Sequence, residues 1–189
     1  MIARVAPRIV AVDPGSESSG VVLYDPVCSE PVVYARKVEN ETMLAWLRAK
    51  AIPRAAEADV AFLTGPHVLV VEMMRARGMP FSNEEMRTLV WLGRFIEAWG
   101  GEWREVYRQD VKIHLCGTAK ARDANIRAAL IDRFGGKDAA IGCKRAPGPL
   151  YGVKADAWSA LALAATYAER GASSDNNPRP AVPGHREKQ

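Results

Sequence analysis

The chain has 189 residues, 48% of them hydrophobic and 25% charged, and its formal net charge is +4. This length suits one domain that buries a core of its own, and the composition excludes wholesale disorder. Its three cysteines have no CxxC spacing and indicate no disulfide framework, and no apolar stretch is long enough for a bilayer span or a signal-peptide core, so we expect a soluble, cytoplasmic protein.

Three strands are predicted in the first part of the chain, at about residues 8–13, 20–25 and 31–38, from β-branched runs punctuated by Pro and Gly. Only six residues separate the first two strands, and parallel neighbours need a crossover of a dozen or more. The three strands are therefore predicted to form an antiparallel meander.

Helical spacing follows over residues 41–50 and 54–62, then a strand that ends at Glu72, a helix over 83–99 and a strand over 103–107. The rest is predicted to be mostly helical. Asn83 is expected to cap the long helix, and its apolar residues are expected to face the sheet. Those residues are Met86, Leu89, Val90, Phe95 and Ile96.

This order of elements predicts an α/β protein with a ribonuclease H-like fold. A central mixed five-stranded sheet, with three antiparallel strands and then two parallel ones, would be flanked by helices. We expect one such domain over residues 1–170. Residues 171–189 are rich in Ser, Asn and Pro, and we expect them to form a disordered tail.

Two apolar runs each end in a carboxylate, Asp13 in the first strand and Glu72 in the fourth. In the predicted fold these strands are parallel neighbours, so both acids would meet at one edge of the sheet. Asp156 opens a helix of small residues that can pack closely on that sheet. Taken singly, each acid also fits a turn, a strand end or a helix cap, but three convergent carboxylates indicate a divalent metal site.

The positive charge is concentrated in residues 104–145, which hold ten Lys and Arg against five Asp and Glu. A basic block beside an acidic metal site fits a polyanionic substrate, because lysine and arginine neutralise phosphates. Taken alone, this charge fits an ordinary solvated surface. The prediction of a polyanionic substrate therefore depends on the three acids of the metal site.

An ordered set of motifs resembles the RuvC-like Holliday-junction resolvases. It comprises residues 9–15 (IVAVDPG), the strand ending in Glu72, Val111-Lys112 before residues 116–121 (CGTAKA), and Asp156 before residues 159–164 (SALALA). Residues 123–127 (DANIR) and 144–152 (KRAPGPLYG) are most similar to bacteriophage-type members. The resemblance extends to about residue 167.

The resemblance implies a homodimeric endonuclease that binds four-way DNA junctions and hydrolyses two strands with Mg²⁺, for which Mn²⁺ can substitute. Asp13, Glu72 and Asp156 would be catalytic and would bind two ions per active site. Cellular RuvC proteins carry two acids three residues apart on the last helix, where this chain has Asp156 and Ser159. The fourth position stays open between Ser159 and Asp123 as a ligand and Lys154 as a compensating charge.

Eight basic residues are the candidates for DNA contact, although each alone also fits a solvated charge. They are Arg75, Arg77, Lys112, Lys120, Arg122, Arg127, Lys144 and Arg145. Two alternatives remain at this point. One is a nuclease of the same fold that acts on RNA/DNA hybrids or single strands, and the other is a junction-binding protein that Ser159 leaves unable to cleave.

Overall fold

A computed structural model of the chain describes residues 6–53, 60–63, 66–75, 78 and 80–171. Its strands are β1 (Arg8–Asp13), β2 (Ser18–Tyr24), β3 (Val32–Glu39), β4 (Ala51–Pro53), β5 (Val60–Phe62), β6 (His67–Met73), β7 (Trp103–Tyr107), β8 (Gly142–Cys143) and β9 (Ala146–Pro147). Its helices are α1 (Asn40–Ala49), α2 (Asn83–Trp99), α3 (Arg108–Cys116), α4 (Asp123–Arg133), α5 (Lys137–Ala140) and α6 (Ala157–Gly171).

The central sheet has five strands in the order β3-β2-β1-β6-β7. The first three pair antiparallel, β6 runs parallel to β1, and β7 runs parallel to β6. This arrangement confirms the predicted meander and the predicted mixed sheet. The carboxyl ends of β1, β6 and β7 therefore lie at one edge.

Apolar residues cover both faces of the central strands, as expected for strands buried between two layers of helices. On one face, Ile9, Ala11 and Val70 pack in a core with α3, α4 and α6. On the other, Val10 and Val71 pack in a second core with α1 and α2. The alternation of side chains along each strand thus assigns Asp13 and Glu72 to the α6 face.

Helix α6 lies close to the sheet because small residues make the contact. Ala157, Ala160 and Ala164 are completely buried, and the helix packs on β1 and β2. The sequence predicted this close approach. Within the described part of the chain, no helix is long and apolar enough to cross a membrane.

Two features of α2 differ from the prediction. Ser82, not Asn83, caps the helix: its side chain accepts a hydrogen bond from the Glu85 N–H, and the Ser82 N–H donates to Glu85 Oε2. Met86 and Val90 are 48% and 64% exposed instead of facing the sheet. The buried stripe runs through Leu92, Phe95 and Trp99, spaced at three and four residues, and it turns the other two outward.

The second predicted helix is wrong for residues 60–62, which form strand β5. This strand pairs antiparallel with β4, with Ala51 opposite Phe62, so long-range pairing overrides the local helical spacing. Residues 54–59 lie outside the described residues. A second departure from the predicted helical region is the β8–β9 hairpin.

The first residue of the predicted tail belongs to a helix. Gly171 is still part of α6, and residues 172–189 lie outside the part of the chain that the structure describes.

Candidate nucleic-acid and metal site

Asp13 and Glu72 lie side by side at the carboxyl ends of β1 and β6. Val12 is the register partner of Val71 in this parallel pair, so the next residue of each strand is the acid. Both acids continue the face that packs against α6. The sheet register therefore brings together two carboxylates that are 59 positions apart in the sequence.

A buried hydrogen-bond network fixes the turn that follows Asp13. The Ser19 hydroxyl donates to Asn40 Oδ1 at 2.6 Å, and Asn40 Nδ2 donates to the Gly15 carbonyl at 2.9 Å. The Gly15 N–H donates to Ser19 Oγ at 3.2 Å. A Cβ at Gly15 would lie 2.3 Å from the Ser18 carbonyl oxygen, so this turn requires glycine. Strand β2, helix α1 and the turn are thereby locked together behind Asp13.

A second glycine brings Asp156 to the same edge. Gly20 of β2 is the register partner of Asp13, and a Cβ on it would lie 2.3 Å from the backbone oxygen of Asp156. The start of α6 thus rests directly on the strand beside Asp13. Ala155, the residue before Asp156, has a φ of 47°, a left-handed conformation that L-residues adopt at some cost. The third predicted acid is held in place by backbone packing.

The site is electrostatically costly for its own acids. Burial, the neighbouring Glu72 charge and, to a smaller degree, Asp156 raise the pKa of Asp13 to about 7, against opposing effects of Arg108 and a hydrogen bond with Ser159. Burial also raises the pKa of Glu72, and the Asp123 charge adds to this rise. Carboxylates in such surroundings need a nearby cation to stay ionised.

Arg108, which the sequence analysis missed, supplies one such cation. Its Nη1 donates to Ser159 Oγ at 2.9 Å and to Glu72 Oε2 at 3.3 Å, and its Nη2 donates to Asp123 Oδ1 at 2.5 Å. Arg108 follows directly on β7, the parallel neighbour of β6. The rule that parallel strands end at one edge, applied to β7 as well, is the sequence signal that points to it.

Lys37 is the second residue that the sequence analysis missed. Its Nζ lies 2.7 Å from Asp156 Oδ2, and this contact raises the pKa of Lys37. Lys37 is the partner of Gly20 in the β2–β3 register. It therefore stands in one row with Gly20 and Asp13, and only the strand register reveals that row.

The three candidates for the fourth position behave differently. Asp123, the first residue of α4, reaches the site through Arg108. Ser159 hydrogen-bonds with both Arg108 and Asp13. Lys154 is exposed. The compensating charges that contact the acids belong to Arg108 and Lys37.

In the described ranges, no group of three or more His, Cys, Asp or Glu side chains is close enough together to hold a metal ion. The donor set nevertheless fits a hard divalent cation, because Asp13, Glu72 and Asp156 offer only oxygen donors at one edge. Burial and the Glu72 charge raise the pKa of Asp13, so its ionised form needs nearby positive charge. In the present conformation the basic side chains provide it.

Four of the predicted DNA-contact residues lie near this edge. The Arg75 guanidinium stacks on the Tyr107 ring at 4.0 Å, and the Lys112 charge lowers the pKa of Glu72. Arg122 directly precedes α4. The Arg127 guanidinium lies 4.8 Å from the centre of the Trp158 ring, and Trp158 is the residue before Ser159.

Three of the other four predicted contacts lie on exposed turns. Lys120 is exposed in the turn between α3 and α4, and Lys144 and Arg145 form the exposed tip of the β8–β9 hairpin. Arg77 lies outside the described residues.

A groove of about 420 Å³ opens beside Glu72. It combines two cations, Arg75 and Arg108, with the aromatic rings of Phe81 and Tyr107. Cationic and aromatic groups in one groove suit the phosphates and bases of a nucleic-acid strand.

Neither the family models nor the curated proteins give a match to this sequence. The solved structures do. RuvC of T. thermophilus in complex with a Holliday junction substrate is similar, with 18% identity, a TM-score of 0.59 and coverage of 86% of this chain and 93% of that one. A second structure of Thermus thermophilus RuvC has 19% identity and a TM-score of 0.54, with coverage of 87% and 96%. The resemblance predicted from the motifs is thus confirmed at the level of the fold.

Proposed function

We propose that this protein is a divalent-metal-dependent endonuclease that resolves four-way DNA junctions and other branched DNA by phosphodiester hydrolysis. The observation that supports the proposal is the placement of Asp13, Glu72 and the start of α6 with Asp156 along one sheet edge of a RuvC-like fold, beside a basic surface. The Holliday junction substrate of the RuvC neighbour supports the choice of substrate.

Asp13, Glu72 and Asp156 would hold the metal, which we take to be two Mg²⁺ ions with Mn²⁺ as a substitute. Such ions supply an activated water and stabilise the leaving oxygen of an in-line displacement. The chain itself contributes the arrangement: the β1–β6 register sets the first two acids, and Gly20 sets the third. Asp13 lies on the strand between the other two acids and would hold the metal together with each of them.

The polar ends of three helices support binding of a phosphate chain here. Arg108 begins α3, Asp123 begins α4, and Asp156 directly precedes α6, so the positive ends of three helix dipoles converge. Backbone N–H groups at such ends bind phosphate oxygens. The eight predicted basic residues would extend this surface, with Lys144 and Arg145 of the hairpin contacting a further DNA arm.

A homodimer is part of the proposal, because two symmetric incisions need two active sites on one junction. Met86 and Val90 lie one helical turn apart on α2 and are exposed, and a second copy of this chain is the partner we assign to them.

One nuclease domain over residues 1–170 and a cytoplasmic location complete the proposal. The three cysteines are free, which agrees with a reducing compartment.

Cleavage of a labelled four-way junction tests this function. We expect paired nicks in Mg²⁺ or Mn²⁺ and none in EDTA, with matched linear duplex and RNA/DNA hybrid left intact. Asp13→Asn should abolish cleavage, a loss of at least about 100-fold, and should leave junction binding unchanged. Undiminished cleavage by this variant would show that the carboxylate edge is not the active site.

The same assay separates the alternatives. Cleavage of the hybrid or of single strands would keep the site and change the substrate. Tight junction binding without cleavage in any metal would indicate a structural junction protein, in which Lys37 and Arg108 neutralise the acids permanently.

A further inference from the structure

We propose that Arg108 competes with the divalent cation for Glu72, so that a metal ion binds there only when the guanidinium withdraws. This inference rests on the metal site of the proposed function. Arg108 is not among the predicted metal ligands. In this inference it nevertheless sets how tightly the site binds a metal ion.

The Arg108 guanidinium lies among the groups that would otherwise surround a metal ion. One Arg108 side chain spans three elements, with Nη1 on Glu72 of β6 and on Ser159 of α6, and Nη2 on Asp123 of α4. The Arg108 side chain is 23% exposed and that of Glu72 is 18% exposed, so little water screens their contact. The guanidinium thus already uses Oε2, one of the two oxygens with which Glu72 could hold a metal ion.

Two cations do not share this carboxylate without repulsion. Arg108 Nη1 donates to Glu72 Oε2 at 3.3 Å, so a metal ion held by the same carboxylate would be close to the guanidinium, and the two positive charges would repel each other. Ser159 strengthens the hold of Arg108, because its hydroxyl oxygen accepts from the same Nη1. A second acid at position 159 would attract metal, whereas the serine present here binds the guanidinium.

Asp123 provides the place to which Arg108 can withdraw. Its side chain is 79% exposed and holds Nη2 on the solvent side, while Nη1 holds the two inner groups. Breaking only the Nη1 contacts therefore frees Glu72 and leaves the arginine attached to α4. The released N–H donors then face the surface at which the three helices begin, where a DNA phosphate can accept them.

Binding of Mn²⁺ to the whole protein without DNA, followed by electron paramagnetic resonance, tests this inference. Arg108→Gln removes the competing charge, and we expect it to bind Mn²⁺ about tenfold more tightly than the wild type, an ordinary size for coupling between two sites. Lys112→Gln is the matched control, because it removes a positive charge near Glu72 that makes no hydrogen bond to it. We expect a change of less than about threefold for this variant.

Arg108→Lys is a second variant that keeps the inference testable if Arg108→Gln does not fold. Lysine keeps the charge and cannot span Glu72, Ser159 and Asp123 together, so intermediate Mn²⁺ affinity is expected. Equal or weaker binding by the folded Arg108 variants overturns the competition and leaves the proposed metal site standing. An equal gain in Lys112→Gln also overturns it, because the effect is then one of general charge. Absence of Mn²⁺ binding in every protein removes the metal site and this inference together.

Discussion

Asp13 carries a negative charge that its buried surroundings disfavour. Its pKa is raised from 3.8 to about 7, so the folded protein keeps a proton that the unfolded chain releases. A group of this kind makes the folded state less stable as the pH rises between those two values. The loss amounts to about 4 kcal/mol over that interval, at 1.36 kcal/mol for each pH unit. The raised pKa of Glu72 acts in the same direction.

We therefore expect the metal-free protein to lose stability between about pH 4 and pH 7. Asp13→Asn removes the titrating group and should flatten this slope, making the variant more stable than the wild type at about pH 8. Urea unfolding in EDTA at several pH values measures both effects. Parallel pH profiles for the two proteins would contradict the burial of an ionisable Asp13.

The acids of this site were predictable from the sequence, whereas the basic residues that contact them were not. Asp13 and Glu72 were found because each ends an apolar run, and Asp156 because it opens a helix of small residues. Lys37 belongs to an exposed-looking strand segment, and its contact with Asp156 depends on the β2–β3 register. Arg108 needed the orientation of β7. An acid at the end of an apolar run can be recognised from the neighbouring sequence. The basic residues that contact it belong to other strands, and only the pairing of the sheet brings them close.

At the scale of elements, the turn after β1 depends on a helix that starts 25 residues later. Asn40 is 1% exposed and bonds both Ser19 and the Gly15 carbonyl, so α1 supports the loop that follows Asp13. Removing this amide leaves two buried polar groups without their partner, at about 1–3 kcal/mol each. The carboxylate edge and the fold therefore depend on the same hydrogen-bond network.

Asn40→Ala should therefore lower the free energy of unfolding by about 2–6 kcal/mol and reduce junction cleavage, because the Asp13 turn loses its support. Ser16→Ala is the control on the same turn. Its hydroxyl makes only an exposed bond of 3.3 Å to Glu84, and less than about 0.5 kcal/mol is expected. Urea unfolding and initial cleavage rates measure the two effects. Equal losses for both variants would remove the special role of the buried network.

Elements differed in how well the sequence predicted them, for a physical reason. The bounds of β1 and of α2 follow from an apolar run and from a helix with strong spacing, which are local signals. Strand β5 was missed because its hydrogen-bond partner is β4, and the β8–β9 hairpin because two-residue strands carry no periodicity. The outward turn of Met86 and Val90 depends on which stripe of α2 meets the sheet.

At the scale of the whole molecule, the fold was predictable because its order of elements admits few topologies. Short connections force the first three strands to be antiparallel, and longer helical connections permit β6 and β7 to join in parallel. The oligomeric state has no such constraint within one chain. It depends on surfaces that the fold leaves uncovered, and only the structure identifies those.

The α2 surface with Met86 and Val90 gives the last prediction. Val90→Glu places a charge in the centre of the proposed dimer contact, where it would lose water without gaining a partner. We expect a folded monomer in sedimentation analysis and junction cleavage that changes from paired to single, uncoupled nicks. Val27→Glu is the matched control, because Val27 is 65% exposed against 64% for Val90 and lies in the turn between β2 and β3. A Val90→Glu protein that stays dimeric would place the contact elsewhere. Dissociation by both variants would mean that added charge, and not this helix face, separates the subunits.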